Sequence, residues 1–90
     1  MNRVTEGEIA LIVAASAYTV AKLGEKTTVV HMTLPNGFEL VESSSCVDSA
    51  NYDGRIGEDI CKRRLIDKVW MLEGYRLQCD IAAGRFARCP

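Results

Sequence analysis

The step Leu34-Pro35-Asn36-Gly37-Phe38 constrains this chain more than any other stretch, because it fixes a strand pair and its register. Before it, Thr27 to Leu34 is β-branched and alternating, the pattern of a strand. A two-residue Asn36-Gly37 turn would set Leu34 opposite Glu39 and mix apolar with polar residues on both faces. A three-residue loop puts Pro35 at the first corner of a type I turn and Gly37 at the positive-φ bulge position. Leu34 then opposes Phe38, Met32 opposes Leu40, and Val30 joins them on one apolar face. Val29, His31, Thr33, Glu39 and Val41 take the other. A slip of one residue would turn the apolar set outward. The three-residue register is therefore predicted.

Helices are predicted on either side. Thr5-Glu6-Gly7-Glu8 is a capping box, flanked by Val4 and Ile9 at the spacing of a hydrophobic staple. Ile9, Ile12, Val13, Ser16 and Val20 recur on one helical face, and Leu23-Gly24 is a plausible stop. A helix from about Glu6 to Lys22 follows from this. Past the hairpin, Ser43-Ser44-Ser45 ends the second strand, Asp48 can cap a short turn, and Asp53 can cap a long helix.

That long helix is predicted to reach Leu72 or beyond, with Gly74 as a break or a loosening, Tyr75 to Ala83 half-helical, and 84–90 a tail. Wound at 100° per residue it shows two apolar bands. Cys61, Leu65, Val69 and Leu72 form one; Ile56, Ile60, Ile66, Trp70 and Met71 spread over the opposite side. A helix with one core contact needs one stripe, so two bands call for cover on both sides. The expected fold class is α+β: one domain over 1–90, ordered N-terminal helix, β-hairpin, long C-terminal helix (αββα), and completed by oligomerisation. A two-fold dimer closed by the long helix would bury the second band, with Ile66, Trp70, Met71 and Tyr75 as interface residues.

Charge and cysteine count narrow the function. Eleven basic and twelve acidic residues give −1, no field to hold nucleic acid by phosphate neutralisation. The longest apolar stretch, Ile9 to Ala15, is far short of a membrane span, and the N-terminus lacks a signal peptide's apolar core. A cytosolic setting, where Cys46, Cys61, Cys79 and Cys89 stay thiols, is expected. Their spacing has no C-x-x-C and His31 has no companion, so neither metal nor cofactor is expected.

Candidate chemistry is sparse. Cys46 with His31 is the one nucleophile-base pairing available, with no third group to orient it. Asp48, Asp53, Glu58 and Asp59 could suggest a divalent ion, but they fall where helix caps are expected. Lys62-Arg63-Arg64 is the basic run: an anion contact, or a solvated face in which Glu58 pairs with Lys62 and Asp59 and Asp67 pair with Arg63. No catalytic motif emerges.

Between Thr33 and Leu77 stand Thr33, Leu34, Asn36, Gly37 and Phe38; then Ser45, Cys46 and Val47; then Asn51, Tyr52, Asp53, Ile56 and Gly57; and last Trp70, Leu72, Glu73, Gly74 and Tyr75. In that order and spacing they resemble the signature of a family of small tailed-phage and prophage proteins. Met71 stands where relatives often carry proline, and the serine run replaces a glycine-glutamate lead into the cysteine. The resemblance implies a phage origin and a host-cell cytoplasmic setting, and no reaction. The expected function is that of a small interaction protein which binds or inhibits a host macromolecule, in host takeover or anti-defence. The alternative is a small-ligand or nucleotide-binding module using Lys62, Arg63 or Arg64.

Overall fold

The computed structural model describes residues 3–85. Its order is helix α1 (Glu6–Ala14), strands β1 (Ala17–Leu23), β2 (Thr27–Thr33) and β3 (Glu39–Ser45), a 3-10 turn (Ser49–Asn51), and helix α2 (Gly54–Ala82). The α+β class is as expected, with one strand more than the sequence pattern indicated. The sheet is antiparallel in the order β1-β2-β3.

The β2-β3 register is the predicted one. Met32 faces Leu40 and Thr33 faces Glu39, while the Leu34 amide donates to the Phe38 carbonyl at 2.8 Å. Gly37 closes the loop at φ 91°, a conformation a side chain would strain. Val30, Met32 and Leu34 are buried and Leu40 is half-buried. Phe38 departs from expectation. It shares their face but is exposed, because it lies at the hairpin tip on the outermost strand.

The first helix is a correction. Its start is as read: the Thr5 hydroxyl accepts from the Glu8 amide at 3.2 Å. It ends at Ala14 rather than Lys22, and Ala17–Leu23 is instead a strand that pairs antiparallel with β2, from Ala17↔Thr33 to Leu23↔Thr27. The Ser16 hydroxyl donates to the Ile12 carbonyl at 2.7 Å, closing the last turn. Beyond it, Tyr18-Thr19-Val20 favours the extended form, and ladder bonds to β2 outweigh the alanines' helical propensity. Leu23-Gly24 is accordingly no helix stop. Gly24, at φ 67°, turns β1 into β2.

Helix α2 runs unbroken through Gly74. Gly57, Cys61, Leu65, Val69 and Leu77 are its buried residues. They fall on one i, i+4 row, which is inclined to the helix axis by roughly 26° and so follows a twisted sheet. Cys61, Leu65 and Val69 join Val30, Met32, Leu34 and Ile9 in one core; each such side chain contributes about 1.5–3 kcal/mol by leaving water. Helix α1 lies on the same side of the sheet, with Ile12 and Val13 packed on that core. At 1.5 Å per residue α2 is about 43 Å long, against about 24 Å for a seven-residue strand. Its C-terminal third therefore overshoots the sheet. The tail from Gly84 falls, from Phe86 onward, outside the described residues, as does Cys89.

Candidate functional site

The strand-to-helix corner, residues 43–57, holds much of the chain's unusual chemistry. The Cys46 amide donates to the Lys26 carbonyl at 3.0 Å, one step past the end of β3. The Cys46 thiol donates to the Asp48 carbonyl at 3.2 Å, and the Lys26 ammonium to the Val47 carbonyl at 3.0 Å. Asp48 and Asp53 are both caps: their carboxylates accept from the Ala50 and Arg55 amides at 2.9 Å. Between them Tyr52 reaches back to β2, its hydroxyl 2.8 Å from Thr28 Oγ1, while the Lys22 ammonium lies 4.6 Å from its ring centroid. One turn into α2, Gly57 meets the same threonine so closely that a Cβ there would sit 2.5 Å from Thr28 Oγ1. The corner leaves a cavity of about 130 Å³ beside Ser44, Cys46 and Asn51. Ligand pockets run from about 300 Å³ upward.

The structure disperses the sequence-derived chemistry. His31 Nε2 is 2.6 Å from Glu39 Oε1 on the open face of the sheet. It is level with Val41, and Cys46 lies five residues further along, about 17 Å away. The two cannot act as nucleophile and base. Lys62, Arg63 and Arg64 diverge around the helix at 100° intervals. Lys62 Nζ binds Glu58 Oε2 at 2.8 Å, as expected, and lies 4.9 Å from the Tyr18 ring centroid. Arg64 turns the other way and donates to the Ser43 carbonyl at 3.1 Å. Arg63 is exposed between them, and among the described residues neither Asp59 nor Asp67 pairs with it within 4.0 Å. The run forms no common anion pocket. Among the described residues no three His, Cys, Asp or Glu side chains come together as a metal cluster would require.

Three groups, the buried Cys61 and the half-buried Tyr18 and Lys62, have shifted titrations. Burial pushes the Cys61 thiol up, and burial likewise raises the Tyr18 phenol against the opposing pull of Lys62. The bond to Glu58 raises the Lys62 ammonium despite its partial desolvation.

The expected interface set divides in two. Ile66 and Trp70 line a groove with Ile9, Ala10 and Val13 of α1; Ile66 is half-buried against the core, while Trp70 is exposed at 36%. Met71 and Tyr75 lie elsewhere and are 67% and 73% exposed. Two fixed points locate them: Arg64 reaches the Ser43 carbonyl and Lys68 the Val41 carbonyl, four helical residues for two strand residues. Continuing that step brings Met71 and Tyr75 level with the hairpin tip, where Phe38 is 53% exposed. The groove shared by Leu34, Pro35, Asn36, Glu73 and Arg76 confirms that the tip meets α2 at this height. Phe38 was assigned to the core from its alternation; the signal that it lies at a sheet edge is not carried by spacing.

Fold and corner define a small two-layer α+β domain, with α1 and α2 against one sheet face and the other face open. The chain belongs to the phage protein (N4 Gp49/phage Sf6 gene 66) family, whose model matches residues 4–81. No curated protein and no solved structure matches it. The family's description names no reaction. Among the described residues no helix is long and apolar enough to cross a membrane.

Proposed function

We propose that this chain is a non-catalytic interaction protein with which a phage engages a host protein in the host cytoplasm. The observation that carries the reading is the exposed group Phe38, Met71 and Tyr75, held where α2 passes level with the hairpin tip. Phe38 on the hairpin, with Met71 and Tyr75 on a helix fixed to the sheet by Arg64 and Lys68, are residue types enriched at protein-protein interface cores, and tyrosine is also a frequent hot spot. A formal charge of −1 favours a protein partner over a polyanion. The family's phage origin supplies the setting.

The test is capture from host lysate with the wild-type chain and with a Met71→Asp/Tyr75→Asp variant, read by mass spectrometry. One host protein recovered stoichiometrically by the wild type and lost by the variant supports the reading. Recovery unaffected by the variant, or a nucleotide carried by the purified chain in place of a protein, would overturn it.

A further inference from the structure

The two edges of the sheet are not alike. In an antiparallel ladder, residues alternate between those whose N–H and C=O point to the partner strand and those whose groups point away. The Leu34-to-Phe38 bond sets the phase: Thr28, Val30, Met32 and Leu34 point their backbone groups toward β3, so Thr27, Val29, His31 and Thr33 point theirs toward β1. On β3 the outward groups are then those of Glu39, Val41, Ser43 and Ser45. Two of those carbonyls are already occupied, Val41 by Lys68 at 3.3 Å and Ser43 by Arg64 at 3.1 Å. Long cationic side chains folded over an edge are a standard guard against strand addition. On β1 the outward groups are those of Tyr18, Val20 and Lys22, and no side chain covers them among the described residues. The strand's lone charged residue, Lys22, has its ammonium drawn over the Tyr52 ring, back toward its own α2. Val20, on the helix-facing side, is 44% exposed.

We infer that β1 is the self-association edge of this protein, pairing antiparallel with β1 of a second copy across a two-fold axis at Val20. A second copy fits for three reasons. Full overlap of the seven-residue strand centres the axis on its middle residue, Val20, which is one of the outward-bonding positions. Tyr18 then pairs with Lys22 of the other copy, Val20 with Val20, and Lys22 with Tyr18; each such pair exchanges two backbone bonds. The side chains match as well. Two exposed valines meet on the axis, and the small Thr19 and Ala21 pass each other on the open face.

Charge is complementary too. Lys22, drawn over its own Tyr52 in the free chain, comes in this pairing to lie opposite Tyr18 of the other copy, over whose ring Lys62 is held by Glu58 at 2.8 Å with Asp59 nearby. That cluster carries two carboxylates against one ammonium, and receives the incoming lysine favourably. The groove along this edge, lined by Val20, Lys22, Tyr52, Arg55 and Glu58, is open toward the same side. The result is a continuous six-stranded sheet, three strands from each copy, with both capped β3 edges outermost. This is a different surface from the Phe38-Met71-Tyr75 group and does not depend on it. It is also a different surface from the α2 face on which a dimer was first expected.

Sedimentation equilibrium of the full chain, from micromolar to millimolar, tests the inference with three variants. Val20→Lys sets two ammonium groups against each other on the axis and changes a side chain that is already solvated. The wild type should dimerise, and Val20→Lys should weaken dimerisation at least about tenfold, equivalent to about 1.4 kcal/mol. Its circular dichroism and melting in dilute solution should match those of the wild-type monomer. Lys22→Glu should weaken the dimer in the same sense. Tyr75→Ala should leave it unchanged. A wild type that stays monomeric over the whole range, or a dimer indifferent to Val20→Lys, would overturn the assignment of β1.

Discussion

Gly57→Ala tests the packing of α2 on the sheet, because the space for the added methyl group is known. The new Cβ would lie 2.5 Å from Thr28 Oγ1 and 2.9 Å from Thr28 Cβ, closer than real Cβ atoms approach anything. Thr28 is 1% exposed on the central strand and cannot swing away, and its hydroxyl is engaged by Tyr52 at 2.8 Å. Relief has to come from moving the first turns of α2 off β2. Overpacking of this kind costs about 1–3 kcal/mol, and disturbing the Thr28-Tyr52 bond about 0.5–1.5 more. Alanine's better helix propensity returns about 1 kcal/mol. The net loss is centred near 2 kcal/mol, or a fall in Tm of about 8–16 °C for a domain of this size.

Gly74→Ala is the internal control in the same helix. Nothing lies within 4 Å of the added Cβ, so the propensity term stands alone and should stabilise by about 0.5–1 kcal/mol. Urea titrations followed by circular dichroism, at one fixed protein concentration, read both. Combining Gly57→Ala with Thr28→Ala should recover part of the loss, since the nearest atom is gone. If Gly57→Ala were neutral or stabilising like Gly74→Ala, the close approach of α2 to β2 at Thr28 would be refuted.

Three further outcomes are expected. Asp53→Ala removes the side chain that caps α2 through the Arg55 amide and should cost about 1 kcal/mol in urea midpoint free energy; Asp53→Asn should restore most of it. Burial raises the Cys61 thiol and shields it, so Cys61→Ala should leave native-state labelling by a disulfide reagent unchanged and lower the thiol count by one only after denaturation. The Lys62 ammonium is raised above the ordinary lysine value of 10.5 by Glu58, so what it adds to stability is complete below that pH and is lost as pH climbs through the folded value. The Tm difference between wild type and Lys62→Met should therefore shrink above about pH 10.5, and a difference that widens there would contradict the pairing.

What could be read ahead of the structure was whatever local chemistry fixes by itself. The Pro35-Asn36-Gly37 loop set the β2-β3 register, Thr5 and Asp53 began the helices, and Asp48 began the short turn between strand and helix. The buried stripe of α2 followed from period alone through Cys61, Leu65 and Val69. Strand β1 was not legible. An edge strand exposed on both faces leaves no alternation, and its alanines continue the helical pattern of α1. Without β1, α1 could not be placed beside α2, so the groove that Ile66 and Trp70 share with Ile9 and Val13 was not foreseen. Gly57 was visible as a residue but not as a contact. Its partner Thr28 lies 29 positions away, and only the fold brings them together.

The extra strand underlies both the free edge and the place of α1, and it is open to direct measurement. Tyr18 with Met32 and Val20 with Val30 are opposed pairs of β1 and β2 in the phase whose Cα atoms approach to about 4.5 Å. Nuclear Overhauser spectra of the labelled chain should therefore show strong Hα–Hα contacts across both pairs, with slow amide exchange at Thr19 and Ala21, whose groups bond inward. A continuous run of sequential amide–amide contacts from Ala14 to Lys22, with neither cross-strand contact present, would mean that this segment extends α1 as a helix and would contradict the three-stranded sheet.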